Sequence, residues 1–183
     1  MSVPSSTFPG LVTERLLLRQ LTPDDAEDIF LLRSDDIVNK YLDRSRATTI
    51  EDAQQFIGRI NSAIYNQQSL FWAICLRGSE KLIGTICLWN FSPGKDKAEV
   101  GYELLPGYHG RGIMQEALSM VLEFGLQILE LTTIEAWTVQ QNIPSIRLLE
   151  RNGFERDLSL ENKIDRATEG PDLVIYSRSG KAV

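Results

Sequence analysis

The sequence predicts an α/β domain, a sheet with helices packed against it, and three stretches carry that prediction. Lys97 to Leu129 reads as a strand, a glycine-bearing loop and a long amphipathic helix, Leu70 to Trp89 as two strands, and Thr49 to Asn66 as a further helix. The 183 residues are most simply one domain over 11–183 behind a loose arm at 1–10. A hydrophobic fraction of 43% with 24% charged residues is that of an ordinary globular chain, which excludes a disordered or collagen-like composition.

Taken in order, Met1 to Gly10 is rich in Ser, Pro and Thr, hence the expected arm. Thr13 to Leu21 reads as a first strand. Thr22-Pro23-Asp24-Asp25 then opens a helix, with Thr22 as N-cap, proline at the first position and two acids at the positive end. That helix buries Ala26, Ile29, Phe30 and the stem of Arg33. A short helical piece is expected around Ile37 to Leu42. The longer helix from about Thr49 to Asn66 follows, its stripe made of Ala53, Phe56, Ile57, Ile60 and Ile64.

Leu70 to Leu76 and Lys81 to Trp89 form a hairpin across Arg77-Gly78-Ser79-Glu80. Phe91 to Gly94 turns the chain into the strand Ala98 to Leu105, whose residues alternate apolar and polar before Pro106 and Gly107 end it. After Gly112, the positions Ile113, Ala117, Val121, Phe124 and Ile128 recur at helical spacing. Thr132 to Val139 is β-prone. A helix is then expected from Asn142, a plausible N-cap, through Pro144 to the Asn152-Gly153 stop. Leu158 to Pro171 is expected as a loop or hairpin, and Asp172 to Ser177 as the last strand.

Several function classes are disfavoured by composition. Net charge is −6, which argues against non-specific nucleic-acid binding and mildly favours a cationic or amine partner. His109 is the sole histidine, so neither a His-rich metal site nor a Ser-His-Asp triad is available, and no metal is expected. Cys75 and Cys87 sit in apolar strands and read as small core residues of a reducing compartment, without a histidine to activate them. There is no apolar run of transmembrane length, and Met1 to Gly10 lacks the basic start and apolar middle of a signal peptide; no membrane partner and a cytoplasmic location are expected.

The informative loop is His109-Gly110-Arg111-Gly112, set between a strand and a helix start. Free N–H groups at a helix N-terminus, reinforced by the macrodipole, make an anion site. The two glycines let the backbone approach what is bound, and Arg111 adds positive charge. A pyrophosphate suits it. The loop is neither the dinucleotide fingerprint, which needs three glycines in another spacing, nor a P-loop, which needs Gly-Lys-Ser/Thr. The bland alternative is an ordinary helix start with turn glycines.

His109-Gly110-Arg111-Gly112-Ile113-Met114 resembles the acetyl-CoA motif of the GCN5-related N-acetyltransferases, Arg/Gln-x-x-Gly-x-Gly/Ala, with His in the first place and Met in the last as departures. The longer Gly-Arg-Gly-Ile-Met-x-Glu-Ala, and the opening Glu-Arg-Leu-x-Leu-Arg with Thr-Pro-x-Asp-Ala, are similar to the RimJ/RimL-like group that acetylates ribosomal-protein N-termini. Asn142 to Phe154 matches the family's second hallmark, Asn-x-x-Ser-x-x-Leu-Leu-Glu-x-x-Gly-Phe, although capping alone also accounts for Asn142 and Pro144.

The resemblance implies a central, mixed but mostly antiparallel sheet flanked by helices, two strands of which splay to admit acetyl-CoA. It implies transfer of the acetyl group to a primary amine by direct attack, the pyrophosphate resting on Gly110, Arg111, Gly112, Ile113, Met114 and Gln115. The pantetheine arm would lie along Glu103, Leu104 and Leu105, with Asn142 orienting its amides and a free N–H near Leu104 or Leu105 polarising the carbonyl. Glu99 is expected as the base through a water, and Ser145 as the proton donor to the thiolate. No tyrosine stands in the segment where many relatives carry that donor. Glu103, on the same strand face as Glu99, reads most simply as a solvated carboxylate, and His109 as a turn residue. The expected acceptor is a protein N-terminal α-amine. The alternatives are a small-molecule amine (polyamine, amino acid or antibiotic) and, from another class, a non-catalytic acyl-CoA-binding module. A homodimer is common in the resembled group.

Overall fold

The computed structural model describes residues 8–180, so most of the expected arm at 1–10 lies outside the described residues. Its centre is an eight-stranded sheet in the order β1-β2-β3-β4-β5-β6-β8-β7. The strands are β1 (Leu11–Val12), β2 (Leu16–Arg19), β3 (Leu70–Leu76), β4 (Leu82–Trp89), β5 (Lys97–Leu104), β6 (Thr133–Val139), β7 (Glu155–Arg156) and β8 (Leu173–Ser179). Every pairing is antiparallel except β5 with β6. The mixed, mostly antiparallel sheet implied by the resemblance is the one present.

Helices cover both faces, and this explains why β3 reads as a continuous apolar run rather than an alternating one. On one face α1 (Ala26–Ser34) and α2 (Ile50–Tyr65) bury Ile29, Leu32, Ala53 and Ile57 against Phe71, Ala73 and Cys75. On the other, α3 (Ile113–Glu123) and α4 (Ile143–Arg151) pack Ala117, Leu118, Val121 and Leu149 over Trp72, Ile74, Ile86 and Val100. Trp72 is fully buried; the Phe8 ring lies 5.8 Å from it, and its indole N–H donates to the Pro9 carbonyl at 2.7 Å. No helix among the described residues is long and apolar enough to cross a membrane.

Four expectations need correction. The single strand over Thr13 to Leu21 is instead a small hairpin, Leu11 opposite Leu18, because Thr13 makes a turn: its Oγ1 accepts the Leu16 N–H at 2.9 Å. The helix after Gly112 does not keep its period to Ile128. It passes into a π-turn over Phe124–Ile128, with Leu129 N–H bonded to Phe124 carbonyl at 3.1 Å, and the extra residue per turn rotates Ile128 out to solvent. The expected loop over Leu158 to Pro171 contains α5 (Leu158–Glu161) and α6 (Arg166–Glu169). Each is a single turn, too short for a periodic signal. Asp157 caps the first of them through the Leu160 N–H at 3.0 Å. Asn142 makes no N-cap bond. Its amide donates to Thr138 Oγ1 at 3.1 Å instead.

Candidate active site

β5 is where the sheet opens. Along one edge it pairs with β4 over its length, from Trp89↔Glu99 to Gly84↔Leu104. Along the other it pairs with β6 only from Lys97↔Thr133 to Glu99↔Glu135. β6 continues with β8 to Val139↔Leu173, so beyond Glu99 the two central strands part. The resulting cleft has a volume of about 1340 Å³.

Strand parity decides what faces the gap. The Leu105 N–H donates to Ile83 carbonyl at 2.9 Å, and antiparallel bonding alternates, so Leu104 and Tyr102 turn their backbone groups away from β4. The expected free N–H near Leu104 or Leu105 therefore narrows to Leu104. The Leu104 carbonyl already accepts from His109 Nε2 at 2.8 Å, so His109 ties the loop to the strand end. β4 and β5 approach closely there. A Cβ on Gly84 would stand 2.4 Å from the Glu103 carbonyl oxygen.

The side chains of β5 alternate between the two sheet faces. On the α1/α2 face lie Glu99 and Glu103. Glu99 is half-buried in a row with Trp89 and Glu135, and the Asn90 amide reaches its carboxylate at 3.5 Å. Burial pushes its carboxyl up to about 7; the Asn90 bond opposes this, and the neighbouring Glu135 and Glu169 carboxylates add to it. Glu103 is not the solvated carboxylate expected: both its oxygens are held by Arg44, with Nη2–Oε2 at 2.7 Å, and Arg44 Nε donates to Asn39 at 2.9 Å. Cys87 lies under Gly101, and burial raises its thiol to about 12, leaving no reactive thiolate.

Tyr102 points to the α3/α4 face. Its hydroxyl lies 2.7 Å from Ser145 Oγ in the first turn of α4. Burial pushes its phenol up to about 12, against the effect of that hydrogen bond. The sequence shows no tyrosine in the segment where many relatives carry the proton donor, and Tyr102, on β5, was not singled out there. Strand alternation was the available signal, since Tyr102 sits between Gly101 and Glu103 on the strand already singled out.

The loop after β5 behaves as the glycines demand. A 3₁₀ turn over Pro106–Tyr108 leads to Gly110 and Gly112, both at φ 72, a left-handed conformation that L side chains rarely adopt. α3 then starts at Ile113, with the first helical bond from the Glu116 N–H to the Gly112 carbonyl at 3.1 Å. The N–H groups of Ile113, Met114 and Gln115 consequently have no partner within the helix and point out of its positive end. This donor set fits a pyrophosphate.

The supporting shell was not visible in the sequence. Glu116, an acid in the first turn of an anion-binding helix, is neutralised by Arg15: Nε–Oε2 is 2.6 Å, and the Arg15 N–H donates to Oε1 at 3.0 Å. The Thr13 hydroxyl donates to the same carboxylate, and Arg15 Nη1 donates to the Arg111 carbonyl at 2.9 Å. Gln115 spends its side chain on Asn152, in a reciprocal amide pair at 2.8 and 3.1 Å, which locks α3 to the end of α4. An acid in the first turn beside an anion site is the signal that would have prompted a search for its partner.

Of the residues singled out in the sequence, Glu99, Glu103, Leu104, Gly110, Gly112, Ile113, Met114, Gln115, Asn142 and Ser145 all line the cleft. Leu105 and Arg111 stand beside it, Leu105 bound to Ile83 and the Arg111 guanidinium 5.7 Å from the Tyr108 ring centre.

Comparison with known proteins gives one consistent result. A family model described as acetyltransferase (GNAT) domain matches residues 15–155. The uncharacterized N-acetyltransferase YoaA of Bacillus subtilis (strain 168) is 34% identical over 170 residues, spanning 93% of this chain and 96% of the relative. The crystal structure of a GNAT-family acetyltransferase from Bacillus anthracis superposes with a TM-score of 0.78 at 25% identity, over 95% of this chain and 100% of that one. RimL, the ribosomal L7/L12 alpha-N-protein acetyltransferase in complex with coenzyme A, shares the fold with a TM-score of 0.80 at 17% identity, over 96% and 99% of the two chains.

Proposed function

The chain belongs to the GNAT acetyltransferase family, and we propose that it acetylates a protein N-terminal α-amine, with acetyl-CoA supplying the thioester. The observation that carries this reading is the opening between β5 and β6: it is lined on one sheet face by Glu99 and on the other by the Tyr102–Ser145 pair. A base side and a donor side thus meet across one gap, and amine and thioester held there gain from proximity.

On this reading the N–H groups of Gly112 to Gln115 and the charge of Arg111 hold the pyrophosphate. The Leu104 N–H polarises the acetyl carbonyl as charge grows on its oxygen. Asn142 orients the pantetheine amides. Ser145 presents its hydroxyl to the leaving sulfur, and Glu99 removes the proton of the attacking amine through a water. Neither cysteine enters the chemistry, so the acetyl group passes directly to the amine.

The match of pKa values favours an α-amine. Glu99 sits at about 7, and an N-terminal amine at about 7.7–8.0 lies within roughly one unit, whereas a lysine or polyamine amine lies more than three units higher. The RimL neighbour, an alpha-N-protein acetyltransferase, supports the same choice.

The deciding experiment is thermal unfolding with CoA, acetyl-CoA and ADP-ribose, followed by acetylation of peptides with free N-termini beside polyamines and amino acids. Acetyl-CoA at about 100 times its dissociation constant should raise Tm by on the order of 5–10 °C. Glu99→Gln and Ser145→Ala should then lower kcat on peptides. Faster turnover of small amines would move the acceptor to that class. Binding with turnover indifferent to both substitutions would remove the proposed roles of Glu99 and Ser145.

A further inference from the structure

The hydrogen bond between Tyr102 and Ser145 has a direction that the chemistry of the two hydroxyls decides. The phenol has a single hydrogen to place, and among the described residues Ser145 is its only side-chain hydrogen-bond partner, at 2.7 Å. Ser145 has one hydrogen and two lone pairs on a freely rotating hydroxyl. Were Ser145 the donor, the phenol hydrogen would be left unpaired against the cleft wall, at a desolvation penalty. With Tyr102 as donor, both groups are satisfied and the serine hydrogen is released for use. The phenol stays protonated throughout the neutral range because burial pushes it to about 12.

We infer that Tyr102 is a positioning residue for the departing sulfur of CoA: its phenol donates to Ser145 Oγ and turns the serine's own hydrogen towards that sulfur. The inference rests on the role proposed above for Ser145. It adds a residue from the central strand, 43 positions away, without which the serine hydroxyl is free to turn back on its own helix. Ser145 lies in the first turn of α4, whose positive end also favours negative charge at that point.

The balance of protons fixes what the pair does. An alcohol is a far weaker acid than a thiol of pKa about 8.5, so full transfer from Ser145 to the sulfur is uphill. As the C–S bond breaks and the N–C bond forms, the electron pair leaves on sulfur, and Ser145 stabilises it by hydrogen bonding. The amine proton goes to Glu99 through water, and the thiolate takes its own proton from solvent after release. Both hydroxyls end the cycle as they began.

This reading is testable without knowing the acceptor. CoA bound to the purified protein is titrated by the ultraviolet absorbance of its thiolate, with the desulfo-CoA complex as blank to cancel the protein's tyrosines. A hydrogen bond that favours the thiolate lowers the bound thiol's pKa. Tyr102→Phe should raise that pKa by about one unit, a tenfold change in thiolate. Ser145→Ala should raise it by at least as much, and the double variant no further than Ser145→Ala alone. Once a peptide with a free N-terminus is found to be turned over, steady-state assays on it should show kcat falling in Tyr102→Phe with KM for acetyl-CoA unchanged. Desulfo-CoA should bind both variants like the native protein, showing the cleft intact. A shift in Ser145→Ala but none in Tyr102→Phe overturns the positioning role and leaves Ser145 in place. Additive shifts also overturn it, because Tyr102 would then act independently. No shift in either variant, or no CoA binding at all, removes the Ser145 reading together with it.

Discussion

Glu99 holds a proton near neutrality because its carboxylate is withdrawn from water, with Glu135 opposite it in the register and Glu169 adding like charge. Two consequences follow at this residue. If it is the base, kcat/KM should rise with pH through about 7 and level off, and Glu99→Gln should lose that limb with a drop on the order of 10²-fold. A variant that keeps the limb assigns the titration elsewhere. The second consequence concerns stability. The folded-state value, about 7, lies above the ordinary 4.5, so between these values the native state binds more protons than the unfolded chain. Stability therefore falls as pH rises through that window. Glu99→Gln should melt higher than the native protein above pH 7 and show little difference below pH 4.5. Calorimetry across that range checks the sign.

At the scale of elements, the cleft depends on how closely β4 and β5 run and on how α3 is held. Gly84 lets the Glu103 carbonyl oxygen approach to where a Cβ would stand only 2.4 Å away, with Leu104 Cδ1 at 2.9 Å. That oxygen is backbone and cannot swing aside. Gly84→Ala should cost about 1–3 kcal/mol in denaturant unfolding and raise KM for acetyl-CoA, since Leu104 must shift. An unchanged KM would separate the strand spacing from cofactor binding. The start of α3 is clamped by Thr13 and Arg15 on Glu116. Glu116→Ala removes three hydrogen bonds and one negative charge beside the anion site. The lost bonds, at about 0.5–1.5 kcal/mol each, and the lost attraction to the helix's positive end, about 0.3–1 kcal/mol, both destabilise the helix start. The variant should unfold more easily and bind CoA more weakly by titration calorimetry; tighter binding would mean that the charge, not the clamp, governs the loop.

For the whole molecule, the sheet is one surface with two occupied faces, and parting of its central strands connects those faces. The net charge of −6 adds a long-range effect. Association with a basic peptide should weaken as salt approaches physiological strength, where charges are screened beyond about 8 Å, whereas a neutral acceptor should show little change. Measuring kcat/KM for the two acceptors across salt concentration tests whether the protein's own field guides its acceptor. Equal salt profiles would rule that out.

The sequence by itself determined the elements around the cleft. Apolar runs on either side of Arg77-Gly78-Ser79-Glu80 marked β3 and β4, alternation marked β5, period and punctuation marked α2, α3 and α4, and the glycines of the loop after β5 signalled the left-handed turns found at Gly110 and Gly112. These are local demands, written within a few residues of where they act, as were the strand position of Glu99 and the first-turn position of Ser145. The tertiary structure alone decided what those residues meet. Tyr102 reaches Ser145 across 43 positions, Glu116 meets Thr13 across 103, and Arg44 takes Glu103 across 59. The raised pKa of Glu99 likewise depends on burial beneath distant elements and on a carboxylate from β6. Electrostatics and hydrogen bonding act through space, and the partners were brought together only when the sheet closed on its helices and β5 parted from β6.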